Sequence, residues 1–270
     1  PPLKNSQTKK IKGKSLVLKI DDDFLENTTY HVCLNSCVKD NNEGNILDTL
    51  SYIFSTGSKL DTIIIRGNLK DAYSLKPLKN FWVMLYDETV NDTLIFKETP
   101  SYISKTDENG LFVFPNLKTS NFKIAAVSGS DFFYNINEQL AFSDSIINFK
   151  KDSFISLFAF FPEEAENIDL KKHSSNKIDS SNNISNIDTI TKNTKIQTGI
   201  LEININKNLP CVFQLIQNEK IIKTSSFING PYVINDLFPG EYYLKYIVDS
   251  NLDSCWTSGN WKKRRQPERV

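Results

Sequence analysis

The chain has 270 residues, enough for about two domains of the usual ~100–200 residues or for three small ones. Its 32 Lys and Arg residues balance 32 Asp and Glu residues, so no overall charge attracts a polyanion and we expect no nucleic-acid partner. No apolar run approaches the ~20 residues that cross a bilayer. Four Cys and two His residues are too few for a disulfide-rich scaffold or a typical zinc site.

Residues 1–60 contain three predicted strands, at 15–20, 29–34 and 49–55. Leu50, Tyr52 and Phe54 alternate along the third strand and therefore face the same side of a sheet. Three short strands bury too little apolar surface for a stable core. We therefore expect partner strands from chain upstream of this segment.

Residues 61–162 form the next predicted unit, with strands at 62–72, 77–86, 111–117 and 121–127. Gly110, inside a polar stretch, predicts a tight turn before the third strand, because a residue without a side chain accepts positive φ. The apolar run 154–161 ends the unit.

The hairpin around Gly110 occurs a second time, 120 positions later. In each copy a Gly-containing turn precedes alternating large apolar residues, which predicts two separate cores of the same design. The matched positions are Gly110 and Gly230, Phe112 and Tyr232, Phe114 and Ile234, Asn116 and Asp236, and Leu117 and Leu237.

Residues 163–198 are dominated by Ser, Asn, Asp, Lys and Thr, so they offer little apolar surface to offset the entropy of ordering. We interpret them as a polar linker. The last unit, 199–270, has predicted strands at 200–205, 211–216, 231–234 and 242–248.

Three stretches of the first unit carry a resemblance to a known family: 25–30 (LENTTY), 38–45 (VKDNNEGN) and 52–57 (YIFSTG). Together they resemble the C-terminal half of the bacterial Ig-like domain of Bacteroidetes envelope lipoproteins. The resemblance implies a place at the outer membrane, a lipid anchor upstream and envelope or outer-membrane protein partners. The end of the chain, from Asp249 to Glu268, also resembles that family, but has Leu252-Asp253-Ser254-Cys255-Trp256 where Asn-Gly is expected before the Trp.

The strand order of residues 61–162 resembles the carboxypeptidase-regulatory or transthyretin-like (prealbumin-like) β-sandwich. Residues 199–270 repeat its hairpin. The predicted fold is therefore all-β, with serial Ig-like and prealbumin-like β-sandwich modules joined by the polar linker. Such sandwiches host many binding roles, so the fold alone does not assign a function.

Asp249, Asn251 and Asp253 are the candidate metal ligands, because oxygen ligands at positions one, three and five of a loop can converge on Ca²⁺. Position six is Ser254 instead of Gly, and position twelve is Asn260 instead of an acid. The alternative is a polar turn in which these side chains bond to the neighbouring backbone.

Two further groups have a functional and a structural interpretation. The run 262–265 (KKRR), beside Trp256 and Trp261, is either a patch for phosphate or lipid headgroups or a solvated chain end. The aromatic residues could stack on a sugar or could belong to cores and hairpins. They are Tyr73, Phe132, Phe133 and Tyr134.

The cysteines and histidines indicate no catalysis. Cys33 and Cys37 are interpreted as ordinary thiols, and Cys211 and Cys255 could pair in an oxidising compartment. We expect no Ser or Cys nucleophile beside the two histidines, at positions 31 and 173, and no Gly-rich phosphate loop occurs. No cofactor is expected apart from the candidate calcium.

The function predicted from the sequence is a non-catalytic scaffold or accessory subunit that holds protein partners at the bacterial outer membrane. Serial sandwiches support this function, because they give rigid spacing and large lateral surfaces. The alternative is a glycan-binding or adhesion module at the cell surface, which would use the aromatic residues.

Overall fold

The structure is a computed structural model that describes residues 7–13, 15–21, 23–40, 42–92, 95–148, 154–162, 198–205, 209–227 and 231–270. Within these residues the regular secondary structure is β-strand, so the all-β fold class is confirmed. None of them belongs to a helix that could cross a membrane. The predicted linker falls, except for Thr198, outside the described residues.

Contacts divide the chain into two compact units, residues 1–71 with 76–159, and residues 72–75 with 160–270. The predicted domain boundaries, at 1–60, 61–162, 163–198 and 199–270, stay a prediction.

The first unit contains two larger sheets and two separate hairpins. Its strands are β1 (Gln7–Lys12), β2 (Ser15–Ile20), β3 (Thr29–Lys39), β4 (Ile46–Ser55), β5 (Ile63–Asp71), β6 (Trp82–Asp87), β7 (Tyr102–Lys105), β8 (Leu111–Leu117), β9 (Asn121–Val127), β10 (Leu140–Phe142), β11 (Ile147–Asn148) and β12 (Phe154–Ala159). One sheet has the order β10-β9-β6-β7, with β11 also on β9, and the other has the order β12-β5-β8. The hairpins are β1-β2 and β3-β4.

The turn before β8 forms as the sequence predicts. Gly110 has φ 71°, and its N–H donates to the carbonyl of Asp107 at 3.0 Å. The Asp107 carboxylate accepts the N–H groups of Asn109 and Leu111, at 2.9 and 2.8 Å. The carbonyl of Gly110 in turn accepts the N–H of Leu69, which fixes the turn against β5.

The described residues of the second unit form five strands in two sheets. They are β13 (Gly199–Asn204), β14 (Cys211–Gln217), β15 (Lys220–Phe227), β16 (Pro231–Leu237) and β17 (Tyr243–Val248). One sheet pairs β13 with β16, and the other has the order β15-β14-β17.

The strand pairing repeats between the units. β5 pairs with β8 as β13 pairs with β16, and β6 lies between β7 and β9 as β14 lies between β15 and β17. In both copies the register shifts at the same place, so that Phe114 lies opposite Ile65 and Ile234 lies opposite Leu201. Gly230, the partner of Gly110 in the repeat, lies outside the described residues.

The predicted core positions of the repeat are confirmed. Phe112, Phe114 and Leu117 belong to the core of the first unit. Ile234 belongs to the core of the second unit, and Tyr232 and Leu237 pack against it partly buried. Alternation along β8 and β16 thus directs the two sets of side chains into two cores.

Candidate functional site

The loop after β17 folds around the carboxylate of Asp249, which is 3% exposed. Its two oxygens accept the backbone N–H groups of Asp253 and Ser254, at 3.2 and 2.9 Å. Leu252 and Ser254 both have φ 63°, which bends the chain back towards this carboxylate. The loop is therefore held by a side chain that bonds to the backbone a few residues ahead.

The other two candidate ligands bond to each other and to Thr257. The amide of Asn251 donates to the carboxylate of Asp253 at 2.8 Å and to the hydroxyl of Thr257 at 2.7 Å. Asp253 also accepts the N–H of Cys255 at 2.7 Å and the hydroxyl of Thr257 at 3.1 Å. Burial raises the pKa of Asp253, but these hydrogen bonds outweigh it and hold the pKa below its ordinary value.

The structure brings Asp249, Asn251 and Asp253 into one loop, and their contacts are those of a polar turn. The described residues contain no group of three or more His, Cys, Asp or Glu side chains placed to hold a metal ion. Calcium binding stays a prediction. If EDTA leaves the thermal stability unchanged, the loop is a polar turn and not a calcium site.

Glu268 closes this loop and was not predicted from the sequence. Its side chain accepts the N–H groups of Ser250 and Thr257, at 2.7 and 2.9 Å. Its carbonyl accepts the indole N–H of Trp256 at 2.9 Å. A single acid 19 positions after Asp249 gives no local sequence signal, because the contact forms only when the end of the chain folds back.

The basic run near the end forms a turn of its own. Asn260 and Arg265 pair through two backbone hydrogen bonds. Arg264 lies 4.6 Å from the ring centroid of Trp261, and Arg265 donates to the carbonyl of Ser258. These contacts order the segment, and a role with phosphate or lipid headgroups stays a prediction.

Tyr73, one of the candidate sugar-stacking residues, is already engaged within the second unit. Its hydroxyl donates to Gln214 at 2.8 Å, and its ring lies 3.6 Å from the ammonium of Lys245 and 5.2 Å from the ring of Trp256. This favours a structural role for Tyr73.

The other three aromatic candidates lie in the first unit. Phe132 and Phe133 contact each other, with ring centroids 4.8 Å apart, and Phe132 also contacts Trp82. Tyr134 contacts Phe96. Phe133 is 42% exposed, so the Phe132–Phe133 pair keeps an accessible aromatic face.

His31, for which we expect no positioned Ser or Cys nucleophile, contacts the hydroxyl of Ser51. Nε2 of His31, on β3, and the hydroxyl of Ser51, on β4, form a hydrogen bond. Ser51 lies opposite Cys33, and His31 is two positions before Cys33 on the same face of β3. Both residues are exposed, and the described contacts of His31 include no acid to orient the ring. The pair is a cross-strand contact between two exposed side chains.

Among the described cysteines, Cys211 and Cys255 carry no disulfide bond. Cys33 and Cys255 are exposed, and Cys211 is buried, so Cys211 and Cys255 do not form the disulfide considered above. Burial raises the pKa of the Cys211 thiol, which keeps it protonated and unreactive at neutral pH. The side chain of Cys37 lies outside the described residues.

The β3-β4 hairpin presents a largely apolar surface, which we call the hairpin face. Alternation places three cross-strand pairs on it. Tyr30 is 6% exposed, but Tyr52 and Leu50 are 64% and 48% exposed. The hairpin face consists of Tyr30 with Phe54, Val32 with Tyr52, and Leu34 with Leu50.

One end of the hairpin face is covered by the first unit itself. The ring of Phe24 lies 4.8 Å from the ring of Tyr30 and 5.4 Å from that of Phe54. Towards Leu50 the face is open among the described residues. β3 and β4 pair only with each other in the described part of the chain, so no further strand of it extends this sheet.

Comparison with known proteins gives no family for the chain. No protein-family model matches it, and no curated protein matches it. One solved structure that aligns is that of a streptococcal ancillary pilin, with 14% sequence identity over 82% of this chain and 66% of the pilin chain. The TM-score is 0.23, which is too low to support any conclusion about this chain.

Proposed function

We propose that this chain is a non-catalytic scaffold or accessory subunit of a protein assembly at the bacterial cell envelope. The observation that carries the proposal is the hairpin face. Leu50 and Tyr52 lie two positions apart on β4, on the same face of a two-stranded sheet, and are 48% and 64% exposed. Contiguous exposed apolar residues on a soluble domain are typical of a protein contact surface.

Physical chemistry supports a protein occupant for this face. An isolated two-stranded hairpin is at best marginally stable in water, and β3 and β4 have 11 and 10 residues. Burial of apolar surface contributes about 25 cal/mol per Å², so a partner that covers Leu50 and Tyr52 stabilises the hairpin as it binds. Tyr is also enriched among the residues that dominate binding energy.

The envelope location rests on the resemblance of the stretches 25–30, 38–45 and 52–57 to Bacteroidetes envelope lipoproteins. That resemblance supports an outer-membrane location, a lipid anchor upstream and partners among envelope or outer-membrane proteins. The repeated β-sheet modules suit the same role, because each module offers a lateral surface to a partner.

Native purification with chemical crosslinking tests the proposal. The tagged complete protein is isolated from its own membranes, and crosslinks from Lys39, an exposed residue at the end of β3, are identified by mass spectrometry. The test variant is Leu50→Ser with Tyr52→Ser. The matched control is Ile221→Ser with Ile222→Ser on β15, where the two side chains are 50% and 48% exposed.

We expect one or more envelope proteins to co-purify and to crosslink to Lys39. The test variant should lose at least about tenfold of the co-purified partner, as expected for apolar interface residues worth ~1.4 kcal/mol or more in total. The control should retain it. A monomeric protein with no reproducible crosslinks, or equal loss in both variants, would contradict the proposal.

A glycan-binding module is the second candidate, and the Phe132–Phe133 pair favours it. Beside this pair, the indole N–H of Trp82 is buried and has no hydrogen-bond partner among the described residues. Aromatic faces near polar groups are one way in which proteins hold sugars. Glycan-array binding that is lost in Phe133→Ser but kept in Phe158→Ser, a change at a similarly exposed residue of β12, would favour this candidate.

A further inference from the structure

We propose that the second unit accepts a β-strand from a partner polypeptide along the free edge of β13, parallel to β13. This inference rests on the proposed function, because it names a second place where the partner is held and the form in which it binds. It follows from a difference between the two copies of the repeated module.

In the first unit, β5 has a strand on each side. β8 pairs with it antiparallel, and β12 pairs with it in parallel from Phe154 opposite Arg66 to Ala159 opposite Asp71. In the second unit, β13 pairs with β16, and no other described strand lies beside it. The edge that β12 covers on β5 is therefore open on β13 within the described residues.

The register shows which residues of β13 form this edge. Ile65 lies opposite Phe114, and Leu201 lies opposite Ile234, so Ile65 and Leu201 match. Residues 202–205 then correspond to residues 66–69, the first part of the stretch that β12 covers. An open strand edge presents unpaired N–H and C=O groups, which are the groups that a further strand binds.

Among the described residues, the core of the second unit has no counterpart of the side chains that β12 supplies in the first. Leu157 and Ala159 of β12 are 2% and 0% exposed and belong to the core beneath β5. In the second unit, Leu201, Ile205 and Tyr232 pack against the core but remain partly exposed. A strand with inward apolar residues at alternate positions would add side chains to this core, as Leu157 and Ala159 do in the first unit.

The approach to this edge is also apolar. An open groove of about 350 Å³ lies at the start of β13, and Ile200, Leu237 and Phe238 are among the residues that line it. Ile200 and Phe238 are 72% and 58% exposed. A parallel strand that enters past Ile200 and continues along residues 202–205 would contact the apolar start of β13 and cover the partly exposed side chains of the core.

At one position, a strand added to β13 would pack differently from the way in which β12 packs against β5. A Cβ at Gly67 would lie 2.2 Å from the carbonyl oxygen of Ile155, so β12 approaches β5 very closely there. Ile203 stands at the matching place in β13. The donated strand therefore lies farther from β13 at this point, at about the ordinary 4.8 Å spacing between strands. The occupant is an uncharged strand with alternating large apolar residues, comparable to the β12 sequence FISLFA.

A peptide with the sequence of residues 150–161 tests the inference on the complete chain, because it carries the β12 strand and two lysines for solubility. A matched control peptide carries Leu157→Asp and Ala159→Asp, which place charge where the strand faces the core. Amide hydrogen exchange locates the bound peptide. A spin label on its first residue reports the direction of the strand by broadening nearby amide signals.

We expect the peptide, and not the control, to slow exchange of the amides in residues 199–205 by about tenfold or more at saturation, with no change in β5. The spin label should broaden residues 199–201 more than residues 204–205, as a parallel strand requires. Protection elsewhere, an antiparallel pattern or no protection at saturating peptide would overturn the inference. Concentration-dependent protection of β13 without peptide would assign the edge to a second copy of this chain and would overturn it as well.

The outcomes separate this inference from the proposed function. If the peptide does not bind but a partner still co-purifies through the hairpin face, only the strand-accepting edge is contradicted. If the peptide binds to β13 but no partner is found in native purification, the proposed function is contradicted. The edge of β13 then accepts a strand but has no physiological donor.

Discussion

Asn116 and Asp236 show at the scale of single residues why the repeat is structural. Their φ values are 56° and 61°, a left-handed conformation that Asn and Asp tolerate better than most residues. Asn116 also donates a side-chain hydrogen bond to the carbonyl of Asp61 at 2.9 Å. The match between these two positions in the sequence therefore reflects a shared backbone bend at the register shift.

The side chains on either side of β8 differ sharply in burial, which gives a matched test of the core. Phe114 is 1% exposed and Val113 is 43% exposed. We expect Phe114→Ala to lower the free energy of unfolding by about 3–5 kcal/mol, because it leaves a cavity. Val113→Ala should change it by less than ~1 kcal/mol, and Ile234→Ala in the second core should cost about 2–5 kcal/mol. Denaturant unfolding of the complete chain measures all three, and equal small effects would contradict the assignment of two cores.

Because Tyr86 is buried, we expect the free energy of unfolding to fall at high pH. Burial raises its pKa to about 12, a hydrogen bond from the N–H of Phe96 lowers it, and the charge of Glu98 raises it. The folded state thus favours the neutral phenol, so this stabilisation is complete below the unfolded-state pKa near ~10 and is lost as pH rises to about 12.

The Tyr86→Phe variant measures this loss. Between about pH 10 and 12 the free energy of unfolding of the natural chain should fall by up to ~2–3 kcal/mol more than that of the variant, since one pKa unit corresponds to about 1.4 kcal/mol. Tyr86→Phe removes the ionisable group and keeps the ring. If the free energy of unfolding changed with pH in the same way for both proteins, ionisation of Tyr86 would not destabilise the folded state.

At the scale of elements, strands with strong alternation could be predicted from the sequence. β8, β9, β14 and β17 lie within two residues of their predicted bounds, because their apolar side chains alternate or run continuously into a core. β15 was not predicted. Its side chains are exposed or partly exposed throughout, so the segment carries no periodic apolar signal.

The site could be predicted less well than the strands. The alternation of Leu50, Tyr52 and Phe54 predicts a common face, which the pairing of β4 with β3 confirms. The sequence could not show that this face stays open, because that depends on which other elements cover it. Nor could it predict Glu268, whose contacts join residues 11 and 18 positions apart through a chain reversal.

The close pairing of β12 with β5 predicts the effect of a single methyl group. A Cβ at Gly67 would lie 2.2 Å from the carbonyl oxygen of Ile155 and 2.3 Å from the ring of Phe112. We expect Gly67→Ala to destabilise the chain by about 1–3 kcal/mol and to speed amide exchange in β12. In Gly199→Ala, the matched control on β13, the nearest atom would be 3.8 Å away. Equal exchange rates of β12 in both variants would contradict the close approach.

At the scale of the whole molecule, a filled core occurs together with exposed apolar surfaces. The first unit has a filled core beneath β5, but its β3-β4 hairpin keeps an apolar face in contact with solvent. In the described part of the second unit, several residues that pack against the core are only partly buried. Both open surfaces are extended and apolar, which suits long protein contacts better than enclosure of a small molecule.

The most direct test of this account is amide hydrogen exchange of β4 (Ile46–Ser55) in the complete protein, measured alone and in the natively purified assembly. Exchange in β4 should be fast for the isolated protein, because a two-stranded hairpin opens readily, and slower by about tenfold or more in the assembly. β8 serves as the internal reference and should be protected equally in both samples. Equal exchange of β4 in the two samples would contradict the claim that the hairpin face holds a protein partner.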